Sequence, residues 1–160
     1  MSLEQTDCWI CQSLSRDTHL VYYETKTSLA KLNPDQLFRG YTFLTLKQHS
    51  EHLHLLPDKL RRQFLDDMLT VATALAKALN PDRLNYELLG NAQAHLHWHL
   101  VPRYSNDPMW GRPIWAGTRP RKRLPTDDYA ELKTSIQSHL PPPKQSRRRK
   151  PQPLSENPAP

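Results

Sequence analysis

The sequence predicts an α+β domain, and three observations carry that reading. Several short segments are rich in aromatic and β-branched residues, one long segment repeats its apolar residues every three or four positions, and the two kinds do not alternate as βαβ units would. In chain order, segments 19–24 (HLVYYE) and 41–47 (YTFLTLK) read as strands, with Asn33-Pro34-Asp35 and Arg39-Gly40 supplying turn chemistry between them. From Asp58 to Leu79 the residues Leu60, Phe64, Met68, Val71, Leu75 and Leu79 form one stripe of an amphipathic helix. Pro57 and Asp58 mark its start and Asn80-Pro81 its end. Segments 83–89 (RLNYELL) and 95–101 (HLHWHLV) are again strand-like. A loop punctuated by prolines and by Trp110 and Trp115 follows, and then a short helix from about 127 to 139, capped by Thr126.

Composition limits what such a domain can do. The chain has 160 residues, of which 37% are hydrophobic and 24% charged, enough for one compact core. No run approaches the ~20 consecutive apolar residues of a membrane span. The start, MSLEQTDCWICQ, lacks the basic and then apolar pattern of a secretory signal. Two cysteines three positions apart suit a metal or redox pair and a reducing compartment, so a cytoplasmic location is expected. Four glycines leave no Gly-rich phosphate loop of the Walker or dinucleotide type. Residues 141–160 hold five basic residues and one acid, which is +4 of the net +6, together with seven of the fifteen prolines. That composition predicts a disordered basic tail following a domain over 1–140. Contact of the tail with nucleic acid is the less favoured reading; a solvated tail is preferred.

The chemistry concentrates in His95-Leu96-His97-Trp98-His99. In a strand, alternate side chains share a face, so the three imidazoles are expected in a row about 6.6 Å apart, with Leu96, Trp98 and Leu100 turned to the core. Residues that titrate near neutrality in such a row suit either metal ligation or nucleophilic and acid–base catalysis. A second signal is Cys8-x-x-Cys11, with His49 at the end of the strand 41–47. Two thiolates and two imidazoles would complete a tetrahedral site for one structural Zn²⁺, with Cys8, Cys11, His49 and one further histidine sufficing as ligands; a pair of buried, metal-free thiols is the other reading. No cluster of carboxylates accompanies the histidines, which favours covalent imidazole chemistry over a two-metal mechanism. Trp110 and Trp115 read as loop-packing aromatics. Arg119, Arg121, Lys122 and Arg123 leave two readings open, a polyphosphate contact or a solvated surface.

The run from His95 to Val101 resembles the signature of the histidine triad (HIT) family, three histidines alternating with apolar residues and then two further apolar positions. The resemblance extends over most of residues 7–115: the cysteine pair, the Asn33-Pro34 turn, the strand ending in His49, the helix, and Val101-Pro102-Arg103-Tyr104. It implies a HIT-like fold, with an antiparallel sheet of about five strands, one long helix and one or two short ones, commonly assembled as a homodimer. It further implies a nucleotide substrate attacked at its α-phosphate. His97 would be the nucleophile, passing through a covalent nucleotidyl-histidine intermediate. His99, protonated, would hold phosphate oxygens, and Asn33 would bind ribose hydroxyls. His95 would orient the site or, as in zinc-containing branches, ligate metal with the cysteine pair and His49. Two departures stand out. Tyr41 occupies a position where many members carry a further histidine. The loop 90–94 lacks the usual serine or threonine facing the leaving group, with Asn91 and Gln93 available in its place. The activity expected is hydrolysis of a dinucleoside polyphosphate or nucleoside phosphoramidate to a nucleoside monophosphate. Nucleotidyl transfer or phosphorolysis through the same histidine is the alternative, and a nucleic-acid-associated binding module is the rival from another class.

Overall fold

The computed structural model describes residues 8–142. Among these residues the elements are α1 (Trp9–Ser13), β1 (Val21–Glu24), β2 (Ser28–Leu32), β3 (Thr42–Leu46), α2 (Asp58–Leu79), β4 (Arg83–Glu87), β5 (His97–Arg103) and α3 (Thr126–Gln137). The five strands form one antiparallel sheet in the order β1-β2-β3-β5-β4. The expected fold class, strand number and helix lengths are all met.

One face of the sheet is closed by α2. Phe64, Met68, Val71 and Leu75 of its predicted stripe are buried against Ala30, Leu32, Leu44, Leu46, Leu96 and Leu100. Each such aliphatic or aromatic side chain removes surface worth about 1.5–3 kcal/mol from water. Leu132 and Ile136 of α3 complete this core. Helix α2 ends where the sequence places its end, because Asn80 adopts the left-handed conformation at φ 44° and returns its N–H to the Ala76 carbonyl. No helix among the described residues is long and apolar enough to cross a membrane.

Three expectations are corrected. Thr126 is the first residue of α3, not its cap; Pro125 holds the cap position and no side chain caps the helix. Strand β2, whose five residues are all buried, was missed from the residues themselves because SLAKL alternates in neither polarity nor branching. Strand β5 begins at His97, two residues later than expected, which takes His95 out of the sheet.

The other face of the sheet carries the polar chemistry. Phe43 pairs with His99, Thr45 with His97 and Glu87 with His99. This half of the strand alternation therefore gathers residues of β3, β4 and β5 on one side. Gly40 leads into β3 at φ 89°, and a Cβ there would come within 2.2 Å of a Leu79 methyl, so only glycine lets the chain turn against α2. The next residue, Tyr41, is thereby set at the edge of the histidine face.

Candidate active site

His97 and His99 stand side by side on β5, with ring centroids 4.7 Å apart. The phenyl ring of Phe43 contacts both edge-on, at 6.1 and 5.0 Å. The His97 Nδ1–H is donated to the His95 carbonyl at 2.6 Å. A carbonyl can only accept, so this bond fixes the tautomer and leaves the Nε2 lone pair as the basic, nucleophilic atom. Burial holds the His97 pKa below its ordinary value, against the opposing pull of that carbonyl, so the ring stays neutral at neutral pH.

His99 is buried, and its Nδ1 is 2.6 Å from the Tyr41 hydroxyl. Burial first, and the neighbouring His97 second, lower the His99 pKa to about 3. Burial pushes the Tyr41 phenol above its ordinary range, so the phenol keeps its proton and donates it to His99. The single ring proton of His99 then resides on Nε2. This corrects the expectation of a protonated His99: the geometry presents a neutral imidazole, oriented as a donor by tyrosine. The Asn33 side chain lies against the same hydroxyl. Its Oδ1 accepts the Asp35 N–H at 2.7 Å in an Asx-type turn. Asn33 is thus brought beside the tyrosine hydroxyl that meets His99.

His95 departs from the expected row. Its ring turns under the end of β3, where Nε2–H is donated to the Leu46 carbonyl at 2.7 Å. Its Nδ1 faces Cys8 Sγ and Cys11 Sγ, both at 3.4 Å, and His49 Nδ1 at 3.3 Å, while Cys11 Sγ is 3.5 Å from His49 Nδ1. The four candidate ligand atoms all lie within 4.8 Å of one another. Tetrahedral zinc with Zn–S near 2.3 Å and Zn–N of 2.0–2.1 Å requires S···N separations of about 3.5 Å and N···N of about 3.3 Å. The donor set and its spacing therefore fit Zn²⁺. The Leu46 carbonyl supplies the outer hydrogen bond that keeps the His95 Nδ1 unprotonated for a metal. Without a cation, burial and Cys8 push the Cys11 thiol up to about 11. Cys8 also caps α1, its Sγ accepting the Cys11 N–H, so one short helix carries both thiols.

Asn91 and Gln93 are exposed in the loop before β5. Asn91 lines a shallow groove with Glu51, His52, Leu89 and His95, and Gln93 contributes its carbonyl to the His95 N–H at 2.8 Å. The side chains that meet His97 and His99 from β3 and the residue before it are instead those of Tyr41 and Phe43.

The sequence reading missed two residues at this site. Tyr41 enters from the sequence only as a departure from a pattern, because the histidine it meets lies 58 residues along the chain. Trp115, read as loop packing, instead sits 5.0 Å from the His99 ring and donates its indole N–H to Glu87. The basic cluster at 119–123 divides as well. Arg119 pairs with Asp35 and lies 5.3 Å over the Phe38 ring, whereas Arg121 and Arg123 are exposed.

The HIT domain family model matches residues 15–106. The chain belongs to the HIT domain family. Among curated proteins, this HIT chain is 28% identical over 129 residues to Protein hit of Bacillus subtilis, covering 77% of itself and 83% of that protein. It is 35% identical over 86 residues to the adenosine 5'-monophosphoramidase of Saccharomyces cerevisiae, covering 50% of itself and 51% of that protein. It is 26% identical over 143 residues to an adenylylsulfatase of Arabidopsis thaliana, covering 85% of itself and 71% of that protein. Its fold matches the crystal structure of a histidine triad protein from Sinorhizobium meliloti with a TM-score of 0.73 and 21% identity, covering 85% of this chain and 99% of that one.

Proposed function

We propose that this HIT protein hydrolyses nucleotides at the α-phosphate through a covalent nucleotidyl-His97 intermediate, releasing a nucleoside monophosphate. The observation that carries the reading is the His97 Nδ1–H bond to the His95 carbonyl, which leaves Nε2 neutral and nucleophilic beside a donor-oriented His99. Nε2 attacks phosphorus and the bond from phosphorus to the leaving group breaks, its electron pair departing with a leaving group that takes a proton from water. Water then adds to phosphorus and the N–P bond breaks, its pair returning to Nε2. One water is consumed in all, with OH on the monophosphate and H on the leaving group. His99 Nε2–H donates to a non-bridging oxygen as charge develops there. Asn33 holds the ribose. The names of the yeast and plant relatives, a monophosphoramidase and an adenylylsulfatase, support an adenylyl-type substrate whose leaving group is an amine or sulfate.

The test is a substrate panel scored for monophosphate release: adenosine 5'-phosphoramidate, adenylyl sulfate and dinucleoside polyphosphates, in the presence and absence of phosphate as acceptor. Release with water as acceptor is expected, and His97→Ala should lose several orders of magnitude in turnover while remaining folded, because a nucleophile has no partial substitute. Retention of a tenth of the rate in His97→Ala would sink the assignment, and product appearing only with an added acceptor would move the activity to transfer.

The Cys8, Cys11, His49 and His95 cluster is proposed to hold one zinc ion, which when bound would cross-link α1 to the ends of β3 and β5. With all four positions filled by protein, its contribution is structural. A homodimer is proposed through the α2–β4 face. There Leu69 and Tyr86 are exposed beside Ala72 and Ala76, and β4 is an edge strand. Light scattering should give twice the chain mass, and Tyr86→Glu should shift it toward the monomer.

A further inference from the structure

The segment between β5 and α3 crosses the histidine face. On one side Trp115 meets His99 and is bonded to Glu87 of β4; on the other Arg119 pairs with Asp35 beside the Asn33 turn. The indole plane stands at 78° to the His99 ring. Its one polar atom is occupied by the Glu87 carboxylate, and Glu87 is itself the register partner of His99. Trp115 belongs to neither apolar cluster of the core and is 45% exposed. A tryptophan pinned at its polar edge presents a flat apolar surface at a fixed place with little rotamer freedom left to lose.

Sheet order says which part of a substrate this surface meets. Asn33 follows β2 and Tyr41 precedes β3, so the nucleoside side of His99 lies toward those strands. Glu87 and Trp115 lie on the β4 side, across His97 and His99 from Asn33. What extends there from an α-phosphate held at the histidines is the group that departs. We propose that Trp115, held by Glu87, is a specificity-determining residue that stacks on a planar aromatic leaving group. The proposal rests on the nucleotide-hydrolase reading for the word leaving, but the stacking itself is measured independently of turnover.

Two probes that differ only beyond the phosphorus decide it: adenosine 5'-phosphoramidate and its N-(2-naphthylethyl) derivative. The quantity read is the ratio of naphthylethyl to unsubstituted probe, in kcat/KM and in calorimetric Kd, for wild type, Trp115→Leu and Trp115→Phe. Loss of one base-type stack corresponds to roughly 5- to 150-fold. The ratio should fall by that range in Trp115→Leu and be largely restored in Trp115→Phe, which keeps a flat face. Equal losses on both probes would mean that the indole only supports His99 and would overturn the proposal, as would an unchanged ratio or failure of wild type to bind the naphthylethyl probe more tightly. If wild type cleaves neither probe, the hydrolase reading falls, while the Kd ratio still decides whether Trp115 stacks on an aromatic group.

Discussion

A hydroxyl that donates to one nitrogen of a neutral imidazole leaves the ring's only proton on the other nitrogen. Tyr41 does this to His99, and the His95 carbonyl does the reverse to His97, so two adjacent rings of the same chemistry carry their protons on opposite nitrogens, as the proposed donor and nucleophile require. Tyr41→Phe removes that control while leaving the ring volume in place. It should lower kcat/KM about tenfold, the worth of one buried hydrogen bond of ~1.4 kcal/mol, with the loss in kcat and not in KM. Equal kcat in wild type and variant would remove Tyr41 from the machinery. The depressed His99 pKa also has a sign for stability. The folded state keeps His99 neutral down to about pH 3, whereas the unfolded chain takes up a proton below about 6.5. Unfolded protein therefore binds more protons between these values, and stability is lost as pH falls through that window. The groups facing His99 are His97, Glu87 and Tyr41. Thermal melts of wild type and His99→Gln between pH 6.5 and 4.5 check it: the variant should show the shallower decline of Tm. The pairing of His97 and His99 on one face was legible because alternation along a strand is visible in any sequence. The proton positions were not, because they depend on a tyrosine 58 residues away and on burial.

Among the elements, α2 was the most legible, since its stripe, start and stop are all local signals. What the stripe conceals is Asp67, which lies among apolar neighbours and is 4% exposed. Its carboxylate accepts hydroxyl hydrogen bonds from Thr25 at 2.7 Å, Thr27 at 2.5 Å and Ser28 at 2.6 Å, and an amide bond from Gln63 at 3.0 Å. The partners sit at the β1–β2 turn some forty residues away, so the sequence marks the residue as surface charge while the fold makes it the anchor of that hairpin to the helix. Asp67→Ala strands three hydroxyls and should cost about 3 kcal/mol or more, read as a drop in urea midpoint with unchanged slope. A loss under about 0.5 kcal/mol would show the network to be dispensable. The cluster of Cys8, Cys11, His49 and His95 is the second tie between elements, and its legibility was partial. Ligand types and the cysteine spacing were readable, whereas the exit of His95 from the strand toward the Leu46 carbonyl was not. Purified protein should carry about one zinc per chain, and Cys8→Ser or chelation should lower Tm by several degrees. Metal-free protein of undiminished Tm would leave the four residues as a thiol–imidazole cluster.

At the scale of the molecule the question is where the domain ends. Helix α3 is part of it. Tyr129, Leu132 and Ile136 are buried in the main core, and Leu140 packs against that core from the segment after the helix. Beyond Leu140 the composition changes: residues 141–160 hold one leucine as their only sizeable apolar side chain, seven prolines and a +4 charge, and all but the first two lie outside the described residues. From that change of composition we propose a boundary at 140 and no part for the tail in catalysis. A chain ending at Leu140 should keep its Tm within about 2 °C and its kcat and KM on small nucleotides, while a chain ending at Pro125, without Tyr129, Leu132 and Ile136, should fail to fold cooperatively. Removing +4 of the +6 should also abolish any weak, salt-sensitive retention on DNA or RNA that the full chain displays, since such binding scales with the cations engaged. A rise in KM on truncation would put the tail at the active site and move the boundary. Nucleic-acid binding that persists without residues 141–160 would assign it to the exposed Arg121 and Arg123 of the loop before α3.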